Sequence, residues 1–359
     1  MSSPSTDVDA RVRAAFAAAP PRIPVILGAD RSGRTSTLRR IDAAAAPGAC
    51  QYVDLERTTS TPERFVSGLV DATPFALAAP PGPCATPRDA ADDLLVVLAH
   101  ARGRDGGPAT FLLDEWLELQ TFEHFPGLRQ IVDEVVRAIA GSPNRFVLTT
   151  RFVTRALRLL AQTTDRFVVV SMPPLPSGDI AADLIELPGL RSDTAEEFAS
   201  MILALTGGRA GDVRLLVDAL RAAPSLGDPV SALVACLAPG GALDLRCRYS
   251  YEFRLHRARG YGALKAILGI LAAEEPLSLS EIAARLGRTP GSTRDYLWWL
   301  EDVDLVVAHR KQYAFGDPVL RLWVSLFDRP TPPGDDVRAA AVQRFALARL
   351  SHPPPAPFP

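Results

Sequence analysis

The sequence predicts an α/β protein: a parallel-sheet core, a helical segment, and a winged helix-turn-helix module. Three observations carry this. From Ile23 to about Val170, short apolar runs alternate with helix-length amphipathic segments, the pattern of parallel strands joined by crossover helices. The first run leads directly into Gly28-x4-Gly33-Arg34-Thr35-Ser36, a glycine loop that opens a helix. Towards the other end, three helix-length segments precede a short hairpin pattern with a basic tip.

The bulk numbers agree. A chain of 359 residues has room for two or three domains, and 47% hydrophobic content is that of a globular protein. No apolar run approaches the about 20 residues of a membrane span, and the N-terminus lacks the basic-then-apolar order of a secretory signal. Cys50, Cys84, Cys236 and Cys247 form no C-x-x-C pair, which points to reduced thiols in a cytoplasmic protein. A net charge of −2 gives no global argument for nucleic acid. Lys265 and Lys311 are the only lysines, so arginine carries nearly all the basic chemistry.

The expected strands are Pro24–Leu27, Gln51–Leu55, Thr110–Leu113, Arg145–Thr149 and Phe167–Ser171. Residues 1–21 read as a lead-in with one short helix, 22–172 as the core, and the Pro/Gly-rich stretch from Thr73 to Arg88 as a surface loop. Pro173-Pro174-Leu175-Pro176 stops the last strand, and helices are expected over Ser177–Glu186, Ser192–Leu205 and Gly211–Ala223 within a helical region at 173–243. The winged module is placed at 248–328, with helices over Tyr261–Ala273, Ser278–Gly287 and Thr289–Asp302 and a hairpin from Leu305 to Phe315. Residues 329–359 give one more amphipathic helix, Val337–Leu350, and the proline-rich tail PPPAPFP.

The chemistry starts at the loop. Gly28-x4-Gly33 lets backbone N–H groups converge on one centre, and the helix N-terminus behind them adds positive potential. Gly28, Arg31, Ser32, Gly33, Arg34, Thr35 and Ser36 are the candidate phosphate-binding set, with Arg34 where such loops carry lysine. Thr35 would offer its hydroxyl to Mg²⁺. Downstream, Phe111-Leu112-Leu113-Asp114-Glu115 is an apolar strand ending in two carboxylates, so Asp114 would hold Mg²⁺ and Glu115 would polarise an attacking water.

The next strand ends in Thr149-Thr150, either of which could face a γ-phosphate as a polar sensor or serve only as a strand former. Arg151, Arg155 and Arg158 read either as a finger towards a neighbouring subunit or as a solvated basic face. In the helical region, Arg214 near a helix start could reach back to a bound phosphate; the alternative is a surface arginine beside Asp218. In the winged module, Arg288, Ser292, Thr293 and Arg294 lie at the start of the third helix, and His309, Arg310 and Lys311 at the hairpin tip, where DNA contacts would come. Asp295, Glu301, Asp302 and Asp304 dilute that charge, and such modules also dock proteins, so both partners stay open.

These segments together resemble the archaeal-type ATPases of the signal-transducing (STAND-like) AAA+ group. The resemblance rests on GADRSGRTSTL, FLLDE, the Pro-Pro-Leu-Pro break, Thr206-Gly207-Gly208 and the closing YAFGDPVLRLWVSLF, with Asp317, Pro318, Arg321 and Trp323 in matching places. Gly211-Asp212-Val213-Arg214 is also similar to the sensor-2 helix of replication-initiator and clamp-loader AAA+ proteins. Covering about residues 22–328, it implies a P-loop NTPase (AAA+) core, a helical lid and a winged helix, with ATP and Mg²⁺ as ligands. Three departures bear on catalysis. Arg34 replaces the loop lysine, Thr149-Thr150 replaces a small Gly-Ser sensor, and Arg209-Ala210 replaces His-Pro.

A guanidinium is wider than an ammonium and not interchangeable with it at a tight site. The first expectation is therefore an ATP-binding switch with slow or absent hydrolysis, whose winged helix binds DNA, a protein partner or a second copy. An interaction protein on a pseudo-ATPase scaffold and a DNA-binding transcriptional regulator are the alternatives.

Overall fold

The computed structural model describes residues 4–77, 82, 85–187, 189–223, 227–256, 260–328, 331 and 333–351. The proline-rich tail and part of the Thr73–Arg88 stretch lie outside them. The chain divides into two units, Met1–Pro173 and Pro174–Pro359. Among the described residues no helix is long and apolar enough to cross a membrane.

The first unit begins with α1 (Pro4–Ala17), β1 (Ile23–Leu27), α2 (Arg34–Ala44) and β2 (Cys50–Asp54). It continues through α3 (Leu55–Thr58), α4 (Pro62–Asp71), α5 (Pro87–His100), β3 (Thr110–Asp114), a 3-10 helix (Trp116–His124) and α6 (Ile131–Gly141). β4 (Arg145–Thr150), α7 (Val153–Leu160) and β5 (Phe167–Ser171) complete it. All five expected strands are present.

They form one parallel sheet in the order β2-β3-β4-β1-β5. β4 is inserted between β1 and β3, so the glycine loop, the two carboxylates and the two threonines all leave the sheet at its carboxyl edge. Every residue of β1 and β3 is buried, which is why these strands read as unbroken apolar runs instead of alternating ones. On one face Val8 and Val12 of α1 and Leu38 of α2 close over Ile26, Leu112, Val147 and Val170. The two-residue period of a strand turns Phe111 and Phe146 to the opposite face. There they stack at 5.5 Å, with Phe75 edge-on to Phe111 at 5.1 Å.

The second unit runs α8 (Ser177–Ile185), α9 (Ser192–Thr206), α10 (Ala210–Ala222), α11 (Pro229–Cys236), α12 (Ala242–His256) and α13 (Tyr261–Ala273). β6 (Leu277–Ser278), α14 (Leu279–Leu286), α15 (Pro290–Asp302), β7 (Val306–His309), β8 (Gln312–Phe315), α16 (Pro318–Phe327) and α17 (Asp335–Ser351) follow. The hairpin stands where the sequence placed it, and β6 adds a third strand in the antiparallel order β6-β8-β7. Ser278 caps α14 reciprocally with Glu281, and Gly287 ends that helix in the left-handed region at φ 67°.

One hydrophobic core runs through the unit. It includes Ile180, Leu216, Leu233, Tyr251, Leu268, Leu300, Trp323 and Val342. α12 starts well before Tyr249, and the Asp244 carboxylate accepts the Gly240 N–H in the turn ahead of it. A buried ionic knot fixes three more elements. Arg246 of α12 donates to both carboxylate oxygens of Asp212 on α10, and its Nη1 lies 2.6 Å from Asp317 Oδ2. Asp317 Oδ1 in turn accepts the N–H groups of Val319 and Leu320, capping α16. Arg209, at the His-Pro departure, donates to the Gly316 carbonyl.

Candidate functional site

The loop between β1 and α2 is shaped by its glycines. A Cβ at Gly28 would stand 2.6 Å from Ser32 Oγ and 2.8 Å from Met172 Cβ, so no larger residue fits. Gly33 takes φ 99°, and Arg31 is also left-handed at φ 58°. α2 then begins at Arg34, presenting the N-terminal amides of a three-turn helix at the sheet's edge.

Arg34 is only 4% exposed. Its Nη1 donates to the carbonyls of Gly28 and Ala29 and, at 3.1 Å, to Ser32 Oγ. Its Nη2 lies 2.5 Å from Glu115 Oε1. The guanidinium thus bridges the glycine loop and the end of β3, a span set by its fork of donors. Its Nε–H is buried and has no hydrogen-bond partner among the described residues.

Glu115 sits in the left-handed region at φ 53°, directly after β3. Its other oxygen, Oε2, accepts the Arg151 backbone N–H at 2.9 Å and Nε at 3.3 Å. Arg151 is itself buried, with Glu56 at 2.7 Å and Glu118 at 3.7 Å. Burial works against its charge, but Glu115, Glu56 and Glu118 outweigh that and hold it firmly protonated. Of the two readings of this arginine, a finger or a solvated basic face, the solvated face does not hold: at 4% exposure it is part of the carboxylate cluster. Arg155 is half-buried and donates to Gln120.

Asp114 is held by two hydroxyls. Thr149 Oγ1 donates to Oδ1 at 2.5 Å, and the Tyr52 phenol donates to Oδ2 at 2.7 Å. Arg39 lies 3.7 Å above the Tyr52 ring. Burial, then the Asp114 hydrogen bond, pushes the phenol well above its ordinary range, so it stays protonated. The Thr149 hydroxyl also accepts the Glu115 N–H at 3.1 Å, so its one proton is given to Asp114 and is not presented to a phosphate. Thr150 instead accepts the Phe152 N–H at the start of α7.

The cation expectation fits this arrangement poorly. Both Asp114 oxygens already accept from protein hydroxyls, and both Glu115 oxygens are held by arginines. Thr35 and Ser36 are exposed on the first turn of α2. Among the described residues no group of three or more His, Cys, Asp or Glu side chains is placed to hold a metal ion.

The second unit carries the remaining candidates. Arg214 is exposed on α10, while Asp218 pairs with Arg221 at 3.0 Å. Arg288, Arg294, Arg310 and Lys311 are exposed, and Ser292 is half-buried with its N–H capped by Thr289. Thr293 is corrected: it is fully buried and its hydroxyl donates to the Thr289 carbonyl, so it has no place on a contact surface. Asp302 is also buried, which removes it from the charges expected to dilute the patch. Arg310 and Lys311 form the two-residue hairpin turn with φ 48° and 66°.

Sequence reasoning missed Tyr52, Glu56 and Glu118. Tyr52 had one legible signal, its place on the strand next to the one ending in Asp114.

A parallel sheet in this order, with a glycine loop after the first strand, a carboxylate pair after the third and a polar strand inserted between them, defines the AAA+ type of P-loop NTPase fold. In keeping with that class, the chain is similar to the Walker-type ATPase of Pyrococcus abyssi, with a TM-score of 0.62 and 17% identity over 89% of this chain and 94% of that one. The similarity to Cdc6p of Pyrobaculum aerophilum is weaker, at TM-score 0.36 and 17% identity over 92% and 88% of the two chains. For the RuvB Holliday junction branch migration motor of Thermotoga maritima it is TM-score 0.40 and 15% identity over 86% and 91%. No protein-family model matches the sequence, and no curated protein matches it.

Proposed function

We propose that the protein is an ATP-binding switch of the STAND-like AAA+ kind, with slow or absent hydrolysis, whose winged-helix module binds DNA or a protein partner. The observation that carries this reading is Arg34: a buried guanidinium in a glycine loop at a helix N-terminus, with one N–H still lacking an acceptor. Loop amides, helix dipole and guanidinium all favour an anion. The fold shared with a protein described as a Walker-type ATPase supports nucleotide as that anion.

The same side chain supports weak catalysis. A general base needs a free lone pair within reach of water, and Glu115 has Arg34 on one oxygen and Arg151 on the other. On this reading Arg214 closes on the nucleotide from the lid. Arg288, Ser292, Arg294, Arg310 and Lys311 form the output surface.

Titration with a fluorescent ATP analogue tests the reading. Saturable micromolar binding is expected, with turnover that rises in Arg34→Lys and falls in Glu115→Gln. The contacts Arg34 already makes inside the loop favour a second reading, a pseudo-ATPase scaffold. Absence of saturable binding at micromolar protein would select it. For the output surface, salt-dependent gel shifts with Arg288→Ala/Arg294→Ala should show weaker DNA binding and a salt slope reduced by about one per arginine. An unaltered shift would remove α15 as the reader.

A further inference from the structure

We infer that the phosphate site works without a divalent cation, with Asp114 serving as the acceptor for Tyr52 and Thr149 instead of as a metal ligand. This rests on the nucleotide reading but makes a separate claim about it. Asp114 is 2% exposed. A carboxylate at such a position serves a metal by keeping a lone pair open towards the ion or one of its waters. Here each oxygen already accepts a hydrogen bond from a hydroxyl, Thr149 at 2.5 Å and Tyr52 at 2.7 Å.

Neither donor is free to turn away. Thr149 is pinned by the Glu115 N–H that it accepts. Tyr52 rises from β2, whose Asp54 lies in register with Asp114, and Arg39 covers its ring. The charge normally brought by the ion has a resident substitute. Arg34 is buried in the loop and reaches from the Gly28 and Ala29 carbonyls to Glu115. A dication in the same site would have to compete with this guanidinium for Glu115 and for the phosphates. Tyr52 and Arg34 therefore act as a pair: the phenol closes the metal position and the guanidinium neutralises the phosphates. Each is a positioning residue for the bound nucleotide.

The experiment compares binding of a fluorescent ATP analogue in excess EDTA and in excess Mg²⁺. Wild type should bind equally, within about twofold, in both. Tyr52→Phe uncovers one Asp114 oxygen and should bind at least fivefold more tightly with Mg²⁺ than with EDTA. A wild-type affinity that drops tenfold in EDTA and returns with Mg²⁺ would overturn the inference. So would a Tyr52→Phe variant with no metal response. If the analogue does not bind in either condition, the nucleotide reading fails, and Mn²⁺ titration followed by electron paramagnetic resonance decides the metal question alone. Wild type leaving Mn²⁺ free at millimolar concentration sustains the inference. Mn²⁺ bound by wild type and released by Asp114→Asn rejects it.

Discussion

Changing Glu115 to glutamine alters almost no volume but removes the carboxylate that faces Arg34. The guanidinium is then left with the neutral oxygens of Gly28, Ala29 and Ser32. Arg151 suffers less, because Glu56 and Glu118 remain within 2.7 and 3.7 Å. Removing one partner from a buried ion pair typically costs about 3–5 kcal/mol. Three neutral acceptors and the retained amide oxygen place the expected loss near the lower end, about 3 kcal/mol. For a folding unit of this size that lowers Tm by about 6–12 °C, readable by scanning fluorimetry. Arg34→Met should cost less, since Glu115 keeps the Arg151 backbone N–H at 2.9 Å. The double variant should then be more stable than the sum of the two single losses implies. Added ATP should also rescue Glu115→Gln more than it stabilises wild type, because the phosphates supply the missing anion. A Glu115→Gln protein that melts with wild type, with and without ATP, would refute the ion pair and the account of slow hydrolysis built on it.

Arg246→Met strands Asp212 and Asp317 in the core of the second unit and should cost about 3–5 kcal/mol at pH 7 by chemical denaturation. Burial raises Asp212 even with Arg246 present, so in the variant its protonation should relieve part of this deficit as pH falls towards 5. Asp228→Ala removes the cap of α11 and should cost about 1 kcal/mol. Burial lifts the Asp228 pKa, but the Ser231 hydroxyl and the N–H groups of Ser231 and Val230 more than reverse this; the cap's contribution is therefore full above about pH 4 and lost on further acidification. Burial, with Asp218 nearby, pushes the Cys236 thiol up to about 11, so a disulfide reagent at pH 8 should find about one thiolate per thousand and react only after unfolding.

The sheet was legible because its inner strands β1, β3 and β4 are buried almost throughout, and its strands are bounded by proline, glycine and charge. Helix ends were legible where a cap residue stood at the break, as at Ser278 and Thr289. β6 gave no signal, because two residues cannot display a period; its partners on β8 create it. The carboxylate pair and the loop could be read from spacing. What Arg34 touches could not, since the contact with Glu115 joins residues 81 positions apart. The part played by Tyr52, and the buried place of Arg151 among carboxylates, escape the sequence for the same reason. Their roles depend on which strands become neighbours, and composition does not encode that.

The knot of Arg246, Asp212 and Asp317 has a mechanical meaning for the second unit. It ties α10, which carries Arg214, through α12 to the first turn of α16, just beyond the hairpin that displays Arg310 and Lys311. The continuous apolar core binds the same elements along their length. Elements joined by this triad and by one core should shift together, so a displacement of α10 would be passed towards Phe315 at the base of the hairpin. Cutting the chain between Cys236 and Tyr249 would therefore yield two fragments with exposed cores, not two working modules.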